Sequence, residues 1–378
     1  MDLETLFLKH KESSLAGRYI SLDTISPLLS NRSKLLSISL EGHSEESREI
    51  NSIIVGSGKF KILMWSQMHG NESTTTKSIF DLLNFLTSEG NLQEQILKNC
   101  TIIILPLLNP DGAQRYIREN ANKVDLNRDA KNRSQKETQL LFRVFYEFKP
   151  NLCLNMHDQR TIFSVGNSEN AAVVSFLSPS ADESKSITDT RAFAMQLISL
   201  MEQKLQTLIP NHIGRFDDSF NINCVGDSFQ SLGVSTILFE AGHYPGDYQR
   251  EKTREYIFYS LVYLLESVSA SQTILPEVKY YFSIPENEKR FFDVILRNAN
   301  ISNSSENVDI AFQFEEKLVN EKVLFVPKVA EIGNLSSFFA HKNIEGNGQL
   351  VSINKKHVIM KNQTVNNLSI QNKEIVLF

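Results

Sequence analysis

The stretch "FKILMWSQMHGNESTTTKSIFDLLNFL" (Phe60–Leu86) contains three instructions in succession. Its opening, "FKILMWSQ", is a short and almost wholly apolar run, the signature of a strand covered on both faces. Its end, continuing as "TKSIFDLLNFLTSEG" to Gly90, places apolar residues at helical spacing, with the glycine as a C-terminal stop. Between them, at the end of the strand, stand His69 and Glu72, three residues apart. Strand, polar turn and amphipathic helix in that order make one α/β unit.

The same alternation extends outward from residue 50 to about residue 270. "CTIIILPLL", "NLCLNMHDQ" and "STILFEAG" read as strands; "KETQLLFRVFYEFKP", "DTRAFAMQLISLMEQKLQTL" and "REKTREYIFYSLVYLLESV" read as helices, the first stopping before Pro150. The expectation is an α/β fold with a mixed, mostly parallel sheet and helices on both faces. Composition shifts near "VSASQTILP" (Val268–Pro276), which divides the chain into a larger α/β domain, 1–268, and a small β-rich C-terminal domain of unknown role, 275–378. Within the latter, "IPENEKRFFDVILRNAN" reads as one helix, followed by short β-prone pieces such as "VDIAFQF", "EKVLFVPKVAEIG", "QLVSI", "KHVIM" and "EIVLF".

A chain of 378 residues can bury a sizeable core, and its net charge of -5 provides no basic field for nucleic acid. The start, "MDLETLFLKHKESS", carries acids before its first apolar residues and has no long apolar run, so neither a signal peptide nor a membrane helix is expected. Cys100, Cys153 and Cys224 are widely spaced in apolar surroundings, as reduced core thiols of a cytoplasmic protein would be.

Each polar cluster of the α/β region falls at the carboxyl end of a strand, where such sheets open into a crevice. His69 and Glu72 follow one strand, "NPDG" (Asn109–Gly112) another; His157 ends a third and Glu240 a fourth. A zinc site that performs chemistry takes three protein ligands and leaves one position open. His69 and Glu72 can reach one ion if the chain turns at Gly70-Asn71, and His157 from a neighbouring strand would complete the set. Taken singly, each is as well explained by a polar loop start. Asp125 could accept the free imidazole N–H of a metal-bound histidine. Arg118, Asn127 and Arg128 are donors suited to a carboxylate or an oxyanion; a solvated charged loop is the alternative. A carboxylate at the end of an apolar strand is costly to bury, so Glu240 reads as a general base or as a salt-bridged strand end.

Taken together, "HGNE", "NPDG", Arg118 with "VDLNRD" (Val124–Asp129), "LNMHD" (Leu154–Asp158) and "FEAG" (Phe239–Gly242) resemble the zinc carboxypeptidase family of the carboxypeptidase A type, in the family's motif order over roughly residues 17–268. The resemblance implies that His69, Glu72 and His157 bind one Zn2+ ion, with Asp125 supporting the first histidine. It implies that Arg118 polarises the scissile carbonyl, that Asn127 and Arg128 anchor the substrate's terminal carboxylate, and that Glu240 is the general base to a zinc-activated water. The expected activity is removal of the C-terminal residue from peptides or peptide-like substrates with a free carboxylate, peptidoglycan fragments included, without nucleic-acid or membrane partners. The alternative is a zinc amide hydrolase of the aspartoacylase or desuccinylase type, acting on N-acyl amino acids.

One departure stands out. Digestive members of that family carry a mobile tyrosine about twenty residues before the base, and "GRFDDSFNINCVGDSFQ" contains none. Phe216, Asp217 or Asp218 would line that side instead, and the pocket wall would include residues near Val225. Of the other histidines, His243 alone lies close enough to Glu240 to be considered for substrate contact; His10, His43, His212, His341 and His357 read as surface or core residues.

Overall fold

Period-two alternation buries both faces of the central strands. In Phe60–Ser66, Ile62 and Met64 join one apolar cluster while Leu63 and Trp65 join another. In Leu152–Asp158, Leu152, Leu154 and Met156 join the first cluster and Cys153 the second. Each such fully buried side chain contributes about 1.5–3 kcal/mol, so these strands cannot slip register without losing both layers.

The computed structural model describes residues 3–32, 36–302 and 304–377. The chain divides into two units, Met1–Gln159 with Ala172–Asn287, and Arg160–Ala171 with Glu288–Phe378. The larger unit holds strands β1 (Ser37–His43), β2 (Glu49–Gly56), β3 (Phe60–Ser66), β4 (Cys100–Leu105) and β5 (Leu152–Asp158). After β6 (Phe163–Val165), which belongs to the smaller unit, come β7 (Val174–Leu177), β8 (Ile213–Arg215) and β9 (Ser235–Ala241). Its helices are α1 (Leu3–His10), α2 (Leu22–Arg32), α3 (Thr74–Leu86), α4 (Asn91–Asn99), α5 (Pro110–Arg115), α6 (Lys136–Phe148), α7 (Asp189–Leu205), α8 (Val225–Ser231), α9 (Glu251–Ser269) and α10 (Lys279–Ser283).

The eight-stranded sheet runs β1-β2-β4-β3-β5-β9-β7-β8. The four central strands, β4, β3, β5 and β9, are mutually parallel, and β2 and β7 pair antiparallel on either side. Helices α3, α4, α7 and α9 cover one face, and α6 and α8 the other. The chain leaves β3 towards β4 on one side and later returns to β5 on the other. The switch point between β3 and β5 therefore opens a crevice at their carboxyl ends, which is where His69 and His157 sit. No helix among the described residues is long and apolar enough to cross a membrane.

Several local expectations are corrected. Gly90 does not stop the helix that begins at Thr74; that helix ends at Leu86, and Gly90 precedes α4 as its N-cap. The expected helix over residues 284–300 is instead β10 (Asn287–Lys289) and β11 (Phe291–Ala299). In β11, Val294 and Leu296 face one apolar cluster and Ile295 another, a two-residue alternation that the charged flank "NEKR" hides from a longer window. "KHVIM" forms no strand, and β1, with only two apolar residues in seven, carries too few to be seen in advance. The chain passes for the last time to the smaller unit at Asn287–Glu288, beyond the compositional break, and residues 160–171 belong to it as well.

The smaller unit is β-rich. After β10 and β11 it contains β12 (Val308–Val319), β13 (Lys322–Gly333), β14 (Phe339–Glu345), β15 (Val351–Ile353), β16 (Leu368–Ile370) and β17 (Lys373–Ile375). Its sheets are β13-β12-β11-β14, β15-β16-β17 and the β6–β10 ladder.

Candidate metal centre and catalytic cleft

The loop after β3 is held by its own side chains before any ligand is considered. Gln67, in the left-handed region at φ 45°, donates through Nε2 to the carbonyls of Gly70 and Ile20, both at 2.9 Å. The threonines that follow face inward: Thr75 and Thr76 hydroxyls each lie 2.8 Å from Ser66 Oγ, fastening the start of α3 to the end of β3. Asn109 caps α5 by accepting the Gly112 N–H at 2.8 Å, and its amide donates to Met68 O at 3.1 Å. A Cβ on Gly70 would lie 2.0 Å from the Gly112 carbonyl carbon, so the two motifs approach this closely only because position 70 is glycine. Asp111, buried, accepts from Ser44 Oγ, the Glu46 N–H and Arg48. "NPDG" is thus a buttress for the His69 loop.

His69, Glu72 and His157 converge, one ligand atom from each lying within 4.8 Å of the others. The two Nδ1 atoms are 3.1 Å apart, with Glu72 Oε1 2.8 Å from that of His69 and Glu72 Oε2 2.8 Å from that of His157. Two imidazole nitrogens and a carboxylate turned to a common point are a zinc donor set, and all three residues are buried, which favours exchanging their solvation for an ion. The donor chemistry fits the metal. Behind His69, Asp125 Oδ1 is 3.0 Å from its Nε2, which fixes the tautomer that leaves Nδ1 facing the cluster.

The electrostatics follow the geometry. Burial opposes ionisation of Glu72, but the neighbouring imidazoles outweigh it and hold the carboxyl well below its ordinary range. Burial lowers the basicity of His157. For His69 burial acts the same way, but the charge of Glu72 and the hydrogen bond to Asp125 carry the net shift upward. Asp125 also ends below its ordinary range, because His69 and Arg118 overcome its burial.

Glu240 stands opposite His157 in the β5–β9 register and is the one residue of β9 that keeps appreciable exposure. Burial first, and then the charges of Glu72 and Asp158, push its carboxyl well above the ordinary value. A carboxyl whose affinity for protons is raised in this way is suited to proton transfer. Arg118 donates to Asp125 Oδ2 through Nε at 3.1 Å and to Glu72 Oε1 at 3.2 Å, with 42% of its side chain exposed. Asn127 and Arg128 lie on a 3-10 turn, Leu126–Arg128, capped by Asp125, which accepts the Asn127 N–H at 2.9 Å. All eight candidates therefore fall in one region of the larger unit.

Other candidates do not join them. Asp218 accepts from Lys185 at 2.6 Å and from the buried Arg191 at 2.7 Å, so it is locked into the wall. Asp217 only caps its own turn at Ser219. His243 is buried with its ring 4.6 Å from that of Tyr248. Two contributors were overlooked in the sequence. Asp158 accepts from Thr74 N at 3.1 Å and Oγ1 at 2.6 Å, while its own N–H donates to Glu72 Oε2 at 3.1 Å. Its place after a strand-end histidine was the available signal. Cys224 was read as a core thiol, but only Cys100 and Cys153 are buried; Cys224 lies against Arg128.

The sequence profile of the zinc carboxypeptidases, peptidase M14, matches residues 21–188. Among curated relatives, the Arthroderma benhamiae protein named probable carboxypeptidase 2 is 30% identical over 125 residues, covering 30% of this chain and 24% of that protein. The Arabidopsis thaliana carboxypeptidase SOL1 is 38% identical over 65 residues, 16% of this chain and 13% of that one. The chain thus spans about a quarter or less of the curated relatives it matches. Among solved structures, a metallo-carboxypeptidase from Burkholderia cenocepacia superposes with TM-score 0.53 at 16% identity, covering 65% of this chain and 68% of that chain. Bovine thrombin-activatable fibrinolysis inhibitor, solved with a tick carboxypeptidase inhibitor, gives TM-score 0.53 at 15% identity, covering 66% of this chain and 97% of that chain. These likenesses establish the fold.

Proposed function

We propose that this chain, whose residues 21–188 match the zinc carboxypeptidases, hydrolyses the C-terminal peptide bond of peptides or peptide-like substrates. The observation that carries the reading is the convergence of His69, Glu72 and His157 beside Glu240, which is paired in register with His157. His69, Glu72 and His157 would hold one zinc ion, which supplies Lewis-acid polarisation of the scissile carbonyl and activation of water.

The remaining steps belong to this chain's side chains. Glu240 takes a proton from the attacking water and returns it to the leaving amine, a role that its raised affinity for protons supports. Arg118, held from behind by Asp125 and Glu72, presents its exposed edge to the oxygen on which negative charge develops. Because the guanidinium is already oriented, little reorganisation is needed in the transition state. Arg128 and Asn127 bind the terminal carboxylate, which places the scissile bond one residue in and makes the action that of an exopeptidase. Asn127 Oδ1 accepts the Val225 N–H at 3.0 Å, leaving its amide N–H groups for the substrate. With Asp218 held by Arg191 and Lys185, the wall that a mobile tyrosine would occupy in digestive relatives is fixed in place here.

The test uses zinc-loaded protein and three substrate sets: N-blocked peptides of two to five residues, the same peptides as C-terminal amides, and simple N-acyl amino acids. Loss of one residue from the free-carboxylate peptides but not the amides, absent in a Glu240→Gln variant, is the expected result. Cleavage confined to N-acyl amino acids would refute it in favour of an aspartoacylase-like amide hydrolase.

A further inference from the structure

The two arginines of the cleft are held differently. Arg118 is paired with two carboxylates, Glu72 and Asp125. Arg128, exposed at the end of its 3-10 turn, has no ion-pair partner among the described residues. Its Nη1 donates to the Asn127 carbonyl at 2.8 Å and to Cys224 Sγ at 3.2 Å. Cys224 is the N-cap residue of α8, whose first residue, Val225, is tied to Asn127.

We propose that Cys224 is a positioning residue for the carboxylate anchor: its neutral sulfur aims the Arg128 guanidinium without cancelling its charge. This rests on the reading of Arg128 as the group that binds the substrate's terminal carboxylate. An arginine left to itself samples many rotamers, and that entropy is lost when a substrate is gripped. A carboxylate beside it would fix the rotamer but would also compete with the incoming carboxylate. A thiol is a weak acceptor that fixes the rotamer and stays uncharged. Burial pushes the Cys224 thiol up to about 11, so it remains protonated at neutral pH. The frame around it does not depend on the sulfur. The Ala130 N–H donates to Asn223 O at 3.1 Å, Cys224 N–H to Asn221 O at 2.8 Å, and Val225 N–H to Asn127 Oδ1 at 3.0 Å. The first and third of these bonds join segments 127–130 and 221–225, and the second holds the turn before α8, whatever side chain stands at 224.

The experiment compares KM and kcat for the best free-carboxylate peptide in five variants of the full chain: Cys224→Ala, Cys224→Ser, Cys224→Asp, Arg128→Ala and the double variant Arg128→Ala/Cys224→Ala. Loss of one weak hydrogen bond corresponds to a rise in KM of about 3- to 10-fold for Cys224→Ala, with kcat within about 2-fold. Cys224→Ser, which restores a neutral acceptor, should recover most of that loss. Cys224→Asp should raise KM more than alanine does, because it pairs Arg128 permanently. In the Arg128→Ala background, Cys224→Ala should have no further effect. An unchanged KM in Cys224→Ala, or an equal additional loss in the double variant, overturns the positioning role while leaving Arg128's role intact. An unchanged KM in Arg128→Ala overturns the carboxylate-anchor reading itself. Thermal unfolding of each variant separates these outcomes from a folding defect.

Discussion

Substitution of Asp125 by asparagine tests the arrangement behind the proposed metal ligands most sharply. Four donors meet this carboxylate: His69 at 3.0 Å and the Asn127 N–H at 2.9 Å on Oδ1, and Arg118 Nε at 3.1 Å and Nη2 at 3.0 Å on Oδ2. Asparagine has the same shape but offers one acceptor where two are needed. If its oxygen keeps His69 and Asn127, its NH2 faces two guanidinium donors; if it turns over, Arg118 is satisfied and His69 is not. Either orientation also replaces the carboxylate whose hydrogen bond sustains the basicity of His69. Supporting contacts of this kind are worth about 10- to 100-fold in metal affinity, or about 1.4–2.7 kcal/mol. Competition of the apo variant against a chelator of known zinc affinity measures this directly, without reference to turnover. Zinc affinity within about 2-fold of the unsubstituted protein would refute the claim that Asp125 orients a zinc-binding His69.

Further outcomes are expected. Arg118→Met should lower kcat by about 10²–10³-fold with a much smaller change in KM, since the interaction strengthens only as charge develops on the substrate oxygen; steady-state kinetics on a free-carboxylate peptide decides it. Arg254→Leu should destabilise the larger unit by about 3–5 kcal/mol in urea unfolding, because it strands a buried carboxylate. Arg254 makes a two-pronged contact to Asp81 at 2.6 Å for each prong, both side chains are fully buried, and it also bonds Leu15 O at 2.6 Å. The Glu12 carboxyl, though partly buried, is held down to about 2 from 4.5 by hydrogen bonds led by Arg32. Its contribution is therefore complete above pH 4.5 and is lost as pH falls toward 2, so Glu12→Gln should flatten the acid limb of stability in that window, as followed by urea titrations across pH.

Much of the centre was legible because its signals are short and local. His69 and Glu72 share one turn, and His157 and Glu240 each end an apolar strand, so strand recognition alone sends them to the same sheet edge. What was not legible depends on residues distant in the chain. Cys224 acquires a role only because α8 brings it to Arg128, 96 positions earlier. Asp158 acquires one only because α3 presents Thr74 to it, 84 positions away. The wall residue Asp218 was a candidate until Arg191 and Lys185 were seen to hold it. The strand β11 is hidden because a charged flank runs directly into it, whereas the central strands, six or seven residues long, hold four or five apolar residues each.

The sequence by itself determined the α/β order, the strand ends at which polar groups gather, and the identities of the metal-binding and catalytic candidates. The order and the strand ends follow from hydrophobic periodicity and from the cost of placing ionisable groups at the ends of buried strands, both of which are local properties; the roles of the candidates are what the family resemblance implies. Only the tertiary structure decided the order β4-β3-β5-β9, which sets the switch point between two histidines 88 residues apart. It also decided which carboxylates face which cations, and therefore that Arg118 is pinned by two acids while Arg128 rests on a neutral sulfur. Pairing of that kind depends on angstrom-scale approach between segments that no local pattern relates, and it sets the charge that each side chain presents to a substrate.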